Sequence, residues 1–504
     1  MKIILIHTYI TSDRKEILPT LCEPLGLISL TTYIESQFKS KVDIKILDLY
    51  AMGFNKVRKR DNGRLSIGIS DEKEIIDLIK DENPEIVGIQ CNFTGYANDA
   101  MEVAKVVKKA LPDTVIVVGG AHASHNSENI LNKHPYIDYI IRGEGEITFY
   151  EFIKAIRDGS SVCNIHGITY RDKDGNVFVT SEREIIKDIN VLPIPDRKYL
   201  DMKMYAHINR KVFQWARKYP AAVIMASRGC PYNCIFCSTK NMWMRRWRER
   251  SPENIIREIE ELITNYGVKE ICFSDDQFFV EKKWVHEICD IIIEKKYNIS
   301  LSITSGVSIW LADEHLLRKM KKAGFYHLNF PIESGNLNSI RFIGKPIEPE
   351  VVLKTIKFAN KLGFWTSANF LIGFPYETKK EIMETINFAY TCGVDFPDFL
   401  IATPLPGAEM YNIYKKEGLI KDETETDGNF FVAKCNTLHC TAEELMEIRS
   451  DAAKGFFKRK LCWYLKPSNF INYLFPKVSS LDDMRYFMKL LFLSVLGKYK
   501  RDKR

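Results

Sequence analysis

The sequence predicts an α/β protein with an N-terminal doubly wound, Rossmann-like domain, a partial (β/α)6 TIM barrel and an α-rich C-terminal domain. Two stretches of short apolar runs alternate with amphipathic segments, a pattern typical of parallel strands joined by crossover helices. Between them lies Leu192-Pro-Ile-Pro-Asp196, whose two prolines exclude helix. With 504 residues the chain exceeds one ordinary domain. We expect domains at 1–150, 206–410 and 411–504, with a hairpin appendage and linker at 151–205.

Five apolar, mostly β-branched runs predict the strands of the first domain. They are Lys2–Ile6, Val42–Leu47, Ile86–Ile89, Thr114–Val118 and Tyr136–Ile141. The segments Leu27–Glu35, Glu72–Ile79 and Ala97–Leu111 are long enough to be crossover helices. After residue 164 the pattern changes, because His166–Tyr170 and Val177–Val179 flank an Asp-Gly turn signal at Gly175. We expect a small antiparallel appendage there.

Six further apolar runs predict the strands of the barrel. They are Ala221–Ala226, Glu270–Phe273, Ile299–Thr304, His327–Phe330, Trp365–Ile372 and Phe399–Thr403. The segments between them are long enough for a helix each, which indicates six βα units. After Gly407 the sequence becomes helical in pattern and rich in lysine.

The composition excludes disordered and fibrous classes, since 45% of the residues are hydrophobic and 12% are aromatic. Twelve cysteines are too few for a disulfide scaffold of this length. Neither a signal-peptide pattern nor an apolar span of about 18 residues is present. These observations favour a cytoplasmic location.

The net charge of +7 is concentrated in one segment. Residues 209–250 contain ten Lys and Arg against one Glu, so the rest of the chain is slightly acidic. A general nucleic-acid coat is therefore excluded, and no nucleic-acid recognition motif accompanies the basic segment, so we expect no nucleic-acid partner.

Three cysteines, Cys230, Cys234 and Cys237, lie within eight residues directly after the first barrel strand. A structural zinc site needs four ligands, whereas a cubane iron–sulfur cluster is held by three thiolates with one iron left open. The position after a barrel strand is where barrel active sites form. A zinc clip completed by Cys272 or a distant histidine, or simple buried thiols, are the alternatives.

This Cys-x-x-x-Cys-x-x-Cys segment resembles the signature of radical S-adenosylmethionine (SAM) enzymes, including the aromatic Phe236 before the last cysteine. The resemblance implies that the three cysteines bind a [4Fe-4S] cluster and that SAM binds its open iron. Four later segments are similar to family motifs in the family's order: Phe273–Phe278, Pro331–Gly335, Leu371–Thr378 and Thr403–Glu409.

The resemblance assigns roles around SAM to residues of the first three of these segments. It implies that Asp276 approaches the amino group, Glu333 the ribose and methionine, and Gly373 and Glu377 the adenine. Ser302, at the end of the third strand, is a further polar candidate. On their residue types alone these positions are also compatible with helix caps, turns, solvated strand ends or core packing.

The first domain resembles the cobalamin-binding domain of class B radical SAM methyltransferases. The matching segments contain Pro24, Leu25 and Gly26; Gly119, Gly120 and His122; and Glu144. Paired glycines at the carboxyl end of a parallel strand let a bulky ligand approach the backbone. His122 is expected to line the cofactor rather than to bind cobalt. The Asp-x-His-x-x-Gly motif that supplies a lower cobalt ligand is absent, so we expect a His-off state, with a Rossmann domain lacking cobalamin as the alternative.

The resemblance implies a cobalamin-dependent methyltransferase that generates a 5'-deoxyadenosyl radical and methylates an unactivated carbon of a small metabolite, lipid or peptide. A cobalamin-dependent cyclase or ring-rearranging enzyme is the alternative within the family. A sensor or binding protein that uses the cluster or cobalamin is the alternative of another class.

Two basic segments carry predictions about partners. Residues 240–250 place Trp243 and Trp247 among arginines, which is compatible with binding a flat or anionic substrate or a flavodoxin or ferredoxin electron donor, and equally with a solvated helix face. The apolar segment Tyr486–Leu496 precedes a basic end and is too short to span a bilayer. It would either contact a membrane surface peripherally or pack against the barrel.

Overall fold

The computed structural model describes residues 1–12, 22–39, 41–60, 63–212, 216–421, 430–478 and 480–499. It forms two compact units: residues 1–212 with 241–244, and residues 213–240 with 245–504. The four-segment division predicted from the sequence is finer and stays a prediction. The basic end at Lys500, Arg501, Lys503 and Arg504 lies outside the described residues.

The first unit is built on a seven-stranded sheet with a small three-stranded sheet beside it. Its strands are β1 Lys2–His7, β2 Ile10–Ser12, β3 Asp43–Asp48, β4 Val57–Lys59, β5 Leu65–Ile67, β6 Ile86–Gln90, β7 Val115–Gly119, β8 Tyr139–Ile141, β9 Ile168–Arg171 and β10 Val177–Val179. Its helices are α1 Leu25–Phe38, α2 Leu49–Met52, α3 Glu72–Ile79, α4 Ala97–Ala110, α5 Ala121–His125, α6 Ser127–Lys133, α7 Gly145–Asp158 and α8 Met202–Val212.

The large sheet has the order β10-β9-β8-β7-β6-β1-β3, and β3, β1, β6, β7 and β8 are parallel. The strand order reverses between β1 and β6, because β3 lies on one side of β1 and β6, β7 and β8 lie on the other. Open α/β sheets bind ligands at such a switch point. Alternate side chains of one strand enter different cores: Ile4 and Ile6 lie on one face, Ile3 and Leu5 on the other. Burial on both faces confirms the doubly wound class.

The predicted hairpin forms, but it belongs to the main sheet rather than standing apart as an appendage. Strand β9 pairs antiparallel with both β8 and β10. Asp172 organises the turn, because its Oδ1 accepts hydrogen bonds from the amides of Asp174 (3.0 Å) and Asn176 (2.8 Å). The hairpin joins the main sheet because β8 would otherwise have unpaired backbone N–H and C=O groups along its outer edge.

The second unit is a partial barrel of six parallel strands in sequential order. Its strands are β11 Ala221–Ile224, β14 Glu270–Phe273, β15 Ser300–Ile303, β16 Phe325–Glu333, β17 Trp365–Ile372 and β18 Phe396–Ile401, with a short pair of β12 Ser227–Arg228 and β13 Arg248–Glu249. The helices, the first of which crosses the division between the units, are α9 Thr239–Trp243, α10 Pro252–Tyr266, α11 Lys282–Lys295, α12 Glu314–Ala323, α13 Leu337–Ile343, α14 Pro349–Lys361, α15 Lys379–Thr391, α16 Glu409–Lys416, α17 Ala442–Tyr464, α18 Pro467–Asn469 and α19 Leu481–Tyr499.

The C-terminal helices pack within the second unit. Helix α17 lies along β18, where Arg449 Nε donates to the carbonyl of Phe399 (2.9 Å). Lys477, fully buried, forms an ion pair with Asp395 at the amino end of β18. The amino ends of the barrel strands are thus covered by residues of the predicted α-rich region, which leaves the carboxyl ends for a site.

Candidate functional site

The three cysteines lie on one loop that leaves the carboxyl end of the first barrel strand. All three side chains are half-buried. The loop is held at Ile235, whose amide donates to the carbonyl of Ile343 (3.2 Å) and whose carbonyl accepts from the amide of Met410 (2.9 Å). A backbone fixed on both sides presents its side chains in a defined arrangement.

The thiols of this loop influence one another electrostatically. Burial raises the pKa of Cys230 to about 12 and that of Cys234 to about 11, and in each case the neighbouring thiols raise it further. Both groups therefore release a proton when they bind a metal. Among the described residues, no three His, Cys, Asp or Glu side chains stand close enough to hold a single metal ion. A cubane cluster does not need such a group, because each thiolate binds a different iron.

Two adjacent carboxylates follow the second barrel strand and play different parts. Asp275 is fully buried and accepts a hydrogen bond from Ser227 Oγ (2.6 Å), and burial raises its pKa to about 7. Asp276 is exposed, and its Oδ2 accepts from the amide of Gly229 (3.3 Å), next to Cys230. Asp275 thus holds the segment that leads into the cysteine loop, while Asp276 lies at the loop itself.

Glu333, at the carboxyl end of the fourth barrel strand, forms a buried ion pair that sequence analysis missed. Lys345 Nζ lies 2.8 Å from Glu333 Oε1, and each side chain is 7% exposed. Lys345 also lowers the pKa of Cys234, so the pair borders the cysteine loop. Glu333 has a φ of 68°, a left-handed conformation that side chains rarely adopt. Such backbone strain clusters at functional sites.

Gly373 and Glu377 form one structured turn after the fifth strand. Glu377 Oε2 accepts from the amide of Gly373 (2.8 Å), and its Oε1 accepts from Ser339 Oγ (2.8 Å). The carboxyl is almost fully buried, and burial raises its pKa to about 7. Glu377 therefore shapes this loop, and Gly373, with a φ of 83°, makes the turn possible.

Ser302 is not brought to the cysteine loop. It is fully buried inside the barrel, with its Oγ 3.0 Å from Cys272 Sγ and 3.5 Å from Glu270 Oε1. Glu270 begins its strand, so these contacts lie toward the amino end of the barrel. Ser302 thus contributes to the interior packing, and its role in binding SAM stays a prediction.

The basic segment 240–250 is not a single solvated helix face. Helix α9 ends at Trp243, and the left-handed φ of Met244 (50°) and Arg245 (56°) turns the chain. Trp247 packs against Trp284, and its Nε1 donates to the carbonyl of Gln277 (2.8 Å). Trp247 is half-buried, so these two contacts fix the orientation of its indole.

The four arginines of this segment differ in exposure. Arg245 and Arg246 are exposed, whereas Arg248 and Arg250 are buried. Arg250 forms an ion pair with Glu258 and donates from Nε to Asn254 Oδ1 (2.7 Å). Ser251 caps the helix α10 that follows, since its Oγ accepts from the amide of Asn254 (3.2 Å).

In the first unit, the predicted glycine turn lies at the carboxyl edge of the sheet. Gly120 has a φ of 116°, and a Cβ there would lie 2.3 Å from Asn92 Oδ1 and 2.8 Å from the carbonyl oxygen of Cys91. Gly119 has ordinary space around it. His122 Nδ1 lies 3.0 Å from Thr94 Oγ1, and burial lowers the pKa of His122 to about 4, so the imidazole is neutral.

The remaining predicted residues of this unit have mainly backbone roles. Pro24 begins α1, because its carbonyl accepts from the amide of Leu27 (2.9 Å), and the amide of Leu25 donates to the carbonyl of Glu23 (2.8 Å). A Cβ on Gly26 would lie 3.3 Å from Gln90 Nε2, at the end of β6. Glu144 is buried and its Oε2 accepts from the amide of Ile186 (2.8 Å), which fixes the segment after the hairpin.

The nearest analogue of the absent cobalt-ligand motif is Asp48-Leu-Tyr-Ala-Met-Gly53, which lacks the histidine. In the structure a histidine from another strand lies beside Asp48. His7 Nδ1 lies 3.1 Å from Asp48 Oδ1, at the carboxyl ends of β1 and β3. Burial acts to lower the pKa of His7, but Asp48 raises it overall. Asp48 also accepts from the amide of Ala51 (2.9 Å), so the pair holds these strand ends together.

Comparison with known proteins agrees with these two sites. The B12 binding domain matches residues 21–153 and the radical SAM superfamily matches residues 224–389. An uncharacterized methyltransferase of Pyrococcus horikoshii is 32% identical over 91% of this chain and 93% of its own. The chain belongs to the cobalamin-dependent radical SAM methyltransferase family.

Other members of the cobalamin-dependent radical SAM family place this chain among methyltransferases and cyclases. The cytidylyl-2-hydroxyethylphosphonate methyltransferase of Streptomyces wedmorensis is 27% identical over 84% of this chain and 83% of its own. An anaerobic magnesium-protoporphyrin IX monomethyl ester cyclase of Rubrivivax gelatinosus is 28% identical over 68% of this chain and 60% of its own. The fold is that of the radical SAM methyltransferase TsrM from Kitasatospora setae, with a TM-score of 0.68 at 16% identity over 99% of this chain and 95% of that one.

As a cobalamin-dependent radical SAM methyltransferase, the protein uses a [4Fe-4S] cluster, SAM and cobalamin, and it requires a reductant. The donor set fits the first of these groups, because the three thiols share one anchored loop at the carboxyl end of a barrel strand. The glycine turn follows β7, at the same carboxyl edge of the sheet as the switch point between β1 and β6, and its two residues have no Cβ to keep a bulky planar ligand from the backbone. Among the described residues, no helix is both long and apolar enough to cross a bilayer.

Proposed function

We propose that this enzyme methylates an unactivated carbon of a small metabolite, lipid or peptide. The observation that carries the proposal is the gathering of a cysteine loop, an exposed carboxylate and a buried ion pair at the carboxyl ends of the first, second and fourth barrel strands. When bound, the three groups supply an electron, a 5'-deoxyadenosyl radical that abstracts hydrogen, and a methyl group. The protein itself binds the cofactors and the substrate, orients them, and excludes water from the site.

The proposed roles follow from the positions of the residues. Cys230, Cys234 and Cys237 would hold the cluster. Asp276 is the only one of the two adjacent carboxylates that is exposed to a ligand, so it would receive the SAM amino group. Glu333, held in place by Lys345, would bind the polar part of the same molecule. The charge of Lys345 acts on the Cys234 thiol and would also favour an anionic group of a ligand bound beside it.

The turn after the fifth strand would provide one wall for the adenine. The carboxyl oxygens of Glu377 accept hydrogen bonds from the amides of the turn and from Ser339 Oγ, so its role would be to hold this wall in its conformation. In the first unit, Gly119 and Gly120 would support the corrin, with neutral His122 and the start of α1 at Pro24, Leu25 and Gly26 lining it. Glu144 would act through the backbone that it holds.

A reductant of the flavodoxin or ferredoxin type would supply the electron. Arg245 and Arg246 are exposed and lie a few residues after the cysteine loop in sequence. Adjacent exposed cations steer an acidic protein toward the surface that carries them, and this effect weakens as salt increases.

The test uses the full chain, reconstituted anaerobically and incubated with methyl-labelled SAM and a chemical reductant. Methyl transfer predicts label on cobalamin together with 5'-deoxyadenosine. Deoxyadenosine without labelled cobalamin would support the cyclase alternative, which the Rubrivivax relative favours. If neither labelled cobalamin nor deoxyadenosine forms, the result would support a sensor and overturn the proposal.

The cluster assignment is tested with a matched pair of substitutions. Cys234→Ala is expected to lower iron and sulfide content and abolish SAM cleavage. Cys272→Ala is the control, because Cys272 is fully buried inside the barrel against Ser302. Loss of metal in the Cys272 variant would instead support a zinc clip that this cysteine completes.

A further inference from the structure

The C-terminal helical region of the second unit exposes a concentration of large apolar side chains. We define the apolar surface by the six residues Phe470, Ile471, Phe475, Leu481, Met484 and Met488. Ile471 is 61% exposed, Phe475 67% and Leu481 78%. Exposed apolar residues scattered singly are normal in proteins, but a concentration within one short segment marks an interaction surface.

The apolar surface is the outer side of elements whose inner side is already packed. In α19, Leu481, Met484 and Met488 are spaced so that they share one helix face. Tyr486 and Leu490 on the opposite face are buried. They belong to the same buried cluster as Leu474, Tyr464 and Trp365. Because the inner faces are satisfied within the barrel, the outer faces are left for a partner.

The charge of this region identifies the partner. Residues 451–504 contain thirteen Lys and Arg against four Asp and Glu, a net charge of +9. Lys460 and Lys477 pair with Asp395 inside the protein and do not contribute to the surface charge. The exposed cations of the described residues include Lys458, Arg459, Lys466 and Arg485. The rest of the chain outside this segment and residues 209–250 is acidic, at −11, since the whole chain carries +7 and residues 209–250 carry +9. An apolar surface within a strongly cationic segment is complementary to an anionic lipid bilayer, whose headgroups are negatively charged and whose acyl region is apolar.

A second copy of the chain fits this surface less well. Two copies that meet through it would bring two segments of +9 together, and like charges across an interface weaken association. A bilayer has no such conflict, because its anionic headgroups neutralise the cations while the apolar side chains enter the acyl boundary.

We propose that the apolar surface, together with the exposed cations of the same segment, docks the enzyme on an anionic membrane. The buried inner side of these elements, at Leu474, Tyr486 and Leu490, packs with Trp365, which begins the fifth barrel strand, whereas the cysteine loop follows the carboxyl end of the first strand. These are opposite ends of the parallel barrel strands, so a docked enzyme keeps the cysteine loop away from the bilayer. The docking site is independent of the methyl acceptor.

The test is flotation of the full-length protein with lipid vesicles in a density gradient at physiological salt. The protein is expected to float with vesicles made of equal parts phosphatidylglycerol and phosphatidylcholine and to stay behind with phosphatidylcholine alone. The double variant Phe475→Ser/Leu481→Ser is expected to weaken vesicle binding by about 10-fold or more, because two large apolar side chains no longer insert. Met383→Ser, on α15 and 45% exposed, is the control and is expected to bind as the parent does.

Three outcomes would overturn the proposal. The first is absence of the parent protein from the anionic vesicle fraction. The second is equal flotation of the double variant and the parent. The third is a dimer in light scattering that the same two substitutions dissociate, which would make the surface a self-association site. Unchanged melting temperature and SAM cleavage in the double variant establish that any loss of binding is local.

Discussion

Replacing Lys345 with methionine is expected to destabilise the barrel severely, because it leaves Glu333 as a buried charge without its partner. The two charged atoms are 2.8 Å apart and both side chains are 7% exposed. At an effective dielectric constant near 20 their attraction is roughly 6 kcal/mol. Breaking a buried pair by removing one partner typically costs about 3–5 kcal/mol, and we expect a loss in this range.

The assay is urea unfolding of the cofactor-free protein followed by tryptophan fluorescence. Trp310 is a local reporter, because Lys345 Nζ lies 5.9 Å from the centre of its ring. Lys282→Met is the matched control, since its ion pair with Asp313 has the same length of 2.8 Å but side chains that are 40% and 46% exposed. Such surface pairs contribute about 0–1 kcal/mol.

A double substitution separates the charge effect from the loss of packing. Lys345→Met/Glu333→Gln removes both charges, so it is expected to recover more than half of the stability lost in the single variant. A Lys345→Met variant whose unfolding free energy lies within about 1 kcal/mol of the Lys282→Met control would refute the reasoning. So would a double variant less stable than the single one.

Three further predictions concern other parts of the chain. Gly120→Ala is expected to destabilise the first unit by roughly 3 kcal/mol and abolish cobalamin binding in spectroscopic titrations, while Gly119→Ala binds normally, because only Gly120 is sterically required. Glu377 has its pKa raised from 4.5 to about 7, so the folded state holds a proton that the unfolded state has lost. Its contribution of roughly 3 kcal/mol is full below pH 4.5 and is lost as the pH rises to 7; a Glu377→Gln variant with the same pH dependence of unfolding as the parent would contradict this. Lys477→Met leaves Asp395 short of a buried cation, so its melting temperature is expected to fall, by several degrees or more in calorimetry.

Local patterns predicted most of the regular elements. The helix predicted at Glu72–Ile79 begins and ends at those residues, because Asp71 caps it by accepting from the amides of Lys73 and Glu74. The strands β2, β4 and β5 were missed, since each has three residues and shows no periodicity. Their pairing depends on the fold bringing distant segments together.

The residues of the candidate site could be predicted where they lie close together in a short sequence motif. The three cysteines, with Asp276 and Glu333, lie at the carboxyl ends of barrel strands. Lys345 gave no signal, because it is one lysine in a loop and only the folded chain brings it to Glu333. The contacts of Trp247 gave no signal either, because only the folded chain brings its indole to Gln277 and Trp284.

The contact between α17 and β18 matters for how the protein can be shortened in the laboratory. Strand β18 is the last in an open sheet, and its outer edge is occupied by Arg449, bonded to the Phe399 carbonyl, and by Phe430, whose carbonyl accepts from the Ile401 amide (2.7 Å). An uncovered edge strand is a template for pairing with other chains. Fragments that stop after the barrel are therefore expected to self-associate through β18, so a separately expressed barrel needs α17 as its guard against aggregation.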